Sequence, residues 1–176
     1  EVQKSHEKAA VFFLDLDDFK KVNDSLGHEV GDKLLIAAAA RLQQTLKQND
    51  TVGRLGGDEF TVVLLADTNS ALVAQRIIAD FRSSIIIDGK AFYTGTSIGI
   101  SEFPSDAKEP SLLIQFADLA MYRAKDEGKM RYCKFTQELA SREKQRLEIE
   151  KTVREGIEYN RRNCESLCRN HGRRSV

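Results

Sequence analysis

No stretch of this sequence approaches the roughly eighteen apolar residues of a membrane-spanning helix, and the N-terminus lacks the basic, apolar and small-residue order of a signal peptide. The stretch is therefore expected to be soluble and to make no membrane contact of its own, although a parent protein could be anchored elsewhere. Neither charge is in excess: Lys plus Arg and Asp plus Glu both number 27. That balance removes the bulk positive field that draws nucleic acid by counterion release, so a phosphate-bearing ligand must be met by a local site. Cysteine is scarce, with 3 in 176 residues, too few for a disulfide framework. A reducing, cytoplasmic location is expected. Internal repeats and low-complexity tracts are also missing. What remains, 41% hydrophobic and 31% charged, fits one ordinary globular domain with a real core.

After a polar start, VFFLDLD (Val11 to Asp17) is a short run of strand formers that ends in carboxylates. It predicts a buried strand with acid at its C-terminal end. From Gly31 to Leu46, apolar residues at Leu34, Leu35, Ala38, Leu42 and Leu46 recur three or four apart, which predicts a core-facing helix. TVGRL and EFTVVLL read as two strands joined at Gly56 and Gly57, a pair that supplies the positive φ angles of a tight hairpin. A helix is expected from Ser70 to Arg82, capped by Asn69 or Ser70, followed by strands about an Asp88-Gly89 turn. Pro110 opens another helix with Gly128 at its C-cap, and RYCKF is a short strand. This order is that of an α+β fold, a ferredoxin-like split βαβ (βαββαβ) with a central antiparallel sheet and flanking helices. The expected organisation is a domain over residues 1–138, a charge-rich linker helix over 139–159, and a basic tail over 160–176 that is disordered or foreign to the domain. Cys164, Cys168 and His171 in that tail lack a fourth ligand at a standard spacing and do not make a zinc site.

Two acidic clusters stand out: Asp15, Asp17 and Asp18 after the first strand, and Asp58 and Glu59 at the hairpin. In a split βαβ sheet the first strand lies beside the hairpin, so the clusters can converge. Converging carboxylates repel unless a cation sits between them, and hard oxygen ligands favour magnesium. The competing reading is that these acids are solvated loop residues.

DLDDFKKVNDSLGHEVGDKLL (Asp15 to Leu35), RLGGDEF (Arg54 to Phe60), TSIGIS (Thr96 to Ser101) and ADLAMYRAKDEGK (Ala117 to Lys129), in that order and spacing, resemble the GGDEF domain of diguanylate cyclases. The resemblance covers Val11 to Phe135 and implies a palm-type fold that joins two GTP into cyclic di-GMP, with Mg2+ or Mn2+ as cofactor. By that likeness Asp15, the Leu16 carbonyl and Asp58 hold metal, Asp58 also assists deprotonation, and Glu59 is a ligand or a support. Asn23 and Asp32 resemble the pair that reads guanine, since a carboxylate can accept from the ring N–H and exocyclic amine that adenine lacks. Lys125 resembles the lysine on the terminal phosphates, and the amides around Asp18, Phe19 and Lys20 a phosphate cradle. His28 lines the site without being a catalyst. Gly27, Gly31, Gly95 and Gly99 are expected where backbones approach closely.

The sequence departs from the family in three places. Gly128-Lys129-Met130 stands where Gly-Arg-Asn is common, so a point-charge lysine replaces a forked guanidinium on the triphosphate. Lys47-Gln48-Asn49-Asp50 stands where Arg-x-x-Asp forms a surface site for inhibitory cyclic di-GMP, which argues against product inhibition there. Only ten residues precede Val11, so a domain without the family's usual N-terminal helix is expected. The helical stretch after Leu139 resembles the connection to a following EAL phosphodiesterase domain. Two functions compete: a cyclase that works as a homodimer, because each site takes one GTP, and a catalytically silent GTP-binding regulator of an adjoining EAL domain.

Overall fold

Strand β1 (Ala9–Leu16) is buried along almost its whole length, and its side chains divide between two layers. Phe12, Leu14 and Leu16 enter one core cluster, while Val11 and Phe13 enter the other. That alternation is the two-residue period of a strand covered on both faces, which explains why it reads as a continuous apolar run. The computed structural model describes the backbone of residues 8–65 and 68–171, and the side chains of those residues except 147 and 159–171. The chain divides into two units between Thr136 and Gln137.

In the first unit, β1 is followed by α1 (Phe19–Leu26), α2 (His28–Thr45), β2 (Thr51–Gly56), β3 (Glu59–Leu65) and α3 (Ser70–Phe81). Then come β4 (Ile85–Ile87), β5 (Lys90–Phe92), β6 (Thr96–Phe103), α4 (Pro110–Asp126) and β7 (Tyr132–Lys134). The main sheet has five strands in the order β2-β3-β1-β6-β7. β1 runs antiparallel to both β3 and β6, and β7 joins β6 in parallel. The first four strands follow the split βαβ order expected from sequence, and β7 makes the sheet mixed. The larger cluster packs the α2 residues Leu34, Ala38 and Leu42 and the α3 residues Ala74, Ile77 and Phe81 against one face. The smaller sets the α4 residues Leu113, Ala117 and Met121 on the other. Each fully buried Leu or Phe contributes roughly 2 kcal/mol through the water it sheds.

Several local expectations are refined. The helix predicted to begin at Gly31 begins at His28, and a further helix, α1, precedes it after a break at Gly27 (φ 84°). Gly27 is required for that φ and not for close approach, since a Cβ there would meet open space. At Gly99, in contrast, a Cβ would run into the Ala117 carbonyl and the Met121 amide, so α4 can lie directly on β6 only because that side chain is missing. In the β2–β3 hairpin only Gly57 has positive φ (51°); Gly56 belongs to β2, beside a register shift. Asn69 caps α3 by accepting from the Leu72 amide at 3.2 Å. α4 ends one residue before Glu127, so Gly128 lies just past the cap.

The second unit is the helix α5 (Gln137–His171). It begins before the boundary expected at 138/139 and continues past the tail boundary expected after Tyr159. Residues 160–171 contain no Pro or Gly, so nothing in them stops a helix once begun. The rest of that expected tail, residues 172–176, and the Cys164, Cys168 and His171 side chains lie outside the described residues. No helix among the described residues is long and apolar enough to cross a membrane.

Candidate active site at the carboxylate end of the sheet

The register of β1 against β3 places Asp15 opposite Glu59, and the Leu16 amide donates to the Asp58 carbonyl at 3.3 Å. The acid-ended strand and the hairpin tip therefore meet. Asp15 is only 6% exposed. Burial pushes its carboxyl above the ordinary range, opposed by Lys125 and reinforced by the charges of Asp58 and Asp17. Lys125 reaches across from α4 to place its Nζ 2.7 Å from Asp15 Oδ2. Thr96 Oγ1 donates to the Asp15 carbonyl at 3.1 Å, tying β6 to the same end.

The first acidic cluster separates into unlike members. Asp18 turns outward with a left-handed backbone (φ 62°) at the start of α1 and forms ion pairs of 2.9 Å with both Lys21 and Lys129. These two ammonium groups hold its carboxyl below the ordinary range. Asp17 turns inward, where Ser97 and the Met130 amide bond its carboxylate. No motif assigns it that place; Thr94, just before β6, and Thr96 and Ser97 at its start are the signal for it, being hydroxyls set opposite an acid-ended strand. Asp118 on α4 is likewise marked by no spacing or motif role; burial raises its carboxyl, with Lys125 opposing.

Among the described residues no group of three or more His, Cys, Asp or Glu side chains is placed to hold a metal ion. Two carboxylates with a backbone carbonyl at Leu16 still form a hard-oxygen donor set of the kind magnesium takes when phosphates and water complete its shell. The Lys125 ammonium already places one positive charge on Asp15, the buried acid of this set. The residues present therefore fit the ion.

The other expected residues are spread more widely. Phe19 is buried in the core, Lys20 is exposed on α1, and His28 is exposed at the first position of α2. The start of α1 has no side-chain cap, leaving first-turn amides of the kind an anion can accept from. Asp32 is exposed on the wall of an open cavity of about 490 Å³, together with Leu35, Ile36, Arg54 and Phe60. Asn23 does not line that cavity. Its Oδ1 is buried without a partner, packed against Gly31, whose missing side chain makes the room. Away from the site, Asp50 accepts from the Lys47 amide at 2.9 Å in a local turn, and Arg76 is held by the Thr45 carbonyl.

A family model described as "Diguanylate cyclase, GGDEF domain" matches residues 1–131. Diguanylate cyclase TpbB of Pseudomonas aeruginosa is 42% identical over 133 residues, covering 73% of this chain and 31% of that protein. Cyclic di-GMP phosphodiesterase NbdA of the same organism is 36% identical over 150 residues, covering 84% of this chain and 19% of that protein. The chain thus spans no more than about a third of these relatives. The crystal structure of the GGDEF domain of TpbB (YfiN) superposes with a TM-score of 0.70 at 39% identity, covering 74% of this chain and 83% of that one.

Proposed function

This chain belongs to the GGDEF family, and from that premise we propose that it is a diguanylate cyclase, condensing two GTP into cyclic di-GMP and two pyrophosphates. The observation that carries the reading is the meeting of Asp15 and Asp58 at the β1–β3 end with Lys125 seated on Asp15. In each half-reaction a 3′-oxygen bonds to an α-phosphorus, the bond from that phosphorus to the β-phosphate bridge breaks, and pyrophosphate departs. Asp15, the Leu16 carbonyl and Asp58 would hold Mg2+ or Mn2+, which supplies charge neutralisation and a lowered pKa for the attacking hydroxyl.

The chain's own residues bind and orient the nucleotide. Lys125 and Lys129 exchange their carboxylate partners for triphosphate oxygens, and the first amides of α1 donate to a phosphate edge. Asp32, on the open cavity wall, accepts from the guanine N–H groups, and Asn23 joins it only by turning its side chain out from the place against Gly31 where its Oδ1 is buried. Asp58 takes the proton that the 3′-hydroxyl loses, with Glu59 as its neighbour and support. Because one site holds one GTP, two copies must face each other, so a homodimer is the working unit.

A second reading is favoured by the likeness to a protein named a phosphodiesterase: a silent GTP-binding domain that regulates an adjoining EAL domain. Incubation with GTP and Mg2+, with the nucleotides resolved by chromatography, distinguishes the two. Cyclic di-GMP and pyrophosphate in a 1:2 ratio are expected; bound but unconverted GTP would select the second reading.

A further inference from the structure

We propose that Asp17 is the positioning residue of the phosphate grip: it clasps the α4–β7 loop in a left-handed course and thereby holds Lys129 over the end of β1. This rests on the nucleotide reading above and assigns a task to a carboxylate that the reaction itself leaves unused. Asp17 is 6% exposed, and its two oxygens are bonded by different segments. Ser97 Oγ donates to Oδ1 at 2.7 Å, and the Met130 amide donates to Oδ2 at 3.1 Å. Its own amide donates to the Gly95 carbonyl at 2.9 Å, and its carbonyl accepts from Thr94 Oγ1 at 3.1 Å. A carboxylate so occupied is a joint between β1, β6 and the loop.

The loop needs that joint. α4 ends in paired bonds, Gly128 amide to Lys125 carbonyl at 3.2 Å and Lys129 amide to Ala124 carbonyl at 3.1 Å, a pattern that needs only one left-handed residue, Gly128. Yet the left-handed course continues through Lys129 (φ 63°) and Met130 (φ 47°), two side-chain-bearing residues for which it is unfavourable. Asp17 supplies the compensating bond at Met130. Gly95 leaves the space, since a Cβ there would meet both the Met130 side chain and Asp17 Oδ2. With the loop so set, Lys129 Nζ comes within 2.9 Å of Asp18, the residue next to Asp17. Buried anchor and outward partner are thus adjacent on one strand end, and a cation is delivered to where phosphates would lie.

The test is equilibrium binding by the full chain, with Mg2+, of α,β-methylene-GTP and of GMP. Asp17→Ala removes both acceptor oxygens, and Met130→Pro removes the donor and forbids positive φ while leaving Asp17 and Ser97 in place. Should Asp17→Ala fail to fold, Met130→Pro carries the test. Expected is an about tenfold weaker triphosphate affinity with GMP affinity unchanged. Unchanged triphosphate affinity in a folded variant would overturn the inference, as would equal losses for GMP and triphosphate, which mark a general structural role. No triphosphate binding by the unmodified chain would overturn this inference together with the proposed function.

Discussion

At the scale of single residues, the site keeps a charge where the fold would favour none. The raised carboxyl of Asp15 means that burial and its acidic neighbours outweigh the help of Lys125, so the ionised form destabilises the chain without metal. Asp15→Asn is expected to melt at or above the temperature of the unmodified chain at neutral pH without metal, and to lose cyclase activity, since Lys125 is 30% exposed and can turn to water. The sign follows from linkage: between the ordinary 3.8 and the raised folded value, the folded state holds more proton than the unfolded. This contribution to stability falls as pH rises through that window, and that part of the slope should be missing in Asp15→Asn, leaving what the other shifted carboxylates contribute. Calorimetry across pH checks both, and a lower melting temperature for the variant would sink the account. Asp32 stands on an open cavity wall and supports no core, so Asp32→Ala should leave the melting temperature unchanged. Its GTP affinity should fall about tenfold with ATP affinity unaltered, measured by calorimetric titration.

At the scale of elements, two close approaches set what can vary. α4 rests on β6 through Gly99, where an added methyl meets backbone atoms that cannot turn aside. Gly99→Ala should cost at least about 3 kcal/mol in urea denaturation, because relief requires α4 to move off the sheet and to carry Lys125 with it. A loss below about 1 kcal/mol would show that the helix seat is adjustable. The α2–β2 connection bears on regulation. Its Asp50 is engaged by the Lys47 amide, and a lysine there offers no planar fork to a nucleotide. Initial rates of GTP consumption should therefore stay nearly constant as micromolar cyclic di-GMP is added, and Lys47→Arg should increase inhibition. Tight noncompetitive inhibition of the unmodified protein, removed by Asp50→Ala, would show that lysine suffices.

For the molecule as a whole, the proposed reaction, with one GTP in each site, would make rate depend on meeting a second copy. Specific activity should rise with protein concentration and level off when the dimer is full, read by pyrophosphate release; a constant value throughout would mean that one chain suffices. The strand that ends in acid, the hairpin at Gly56-Gly57, the helix period of α2, the Pro110 start of α4, and the family were all legible in the residue order, because each depends on near neighbours or on an ordered set of motifs. The motifs assigned roles to Asp15 and to the amides around Asp18 but none to Asp17, and they showed neither where these three carboxylates turn nor that Asn23 stays off the cavity that Asp32 lines. Their partners come from remote chain: Met130, which bonds Asp17, is 113 residues away, and Lys129, which pairs with Asp18, is 111. Propensity and periodicity act over a few residues, whereas the environment of a carboxylate is set by whichever distant atoms packing brings to it. Long-range packing therefore sets which acid is buried beside Lys125, which faces lysines at the surface, and which is buried as a joint.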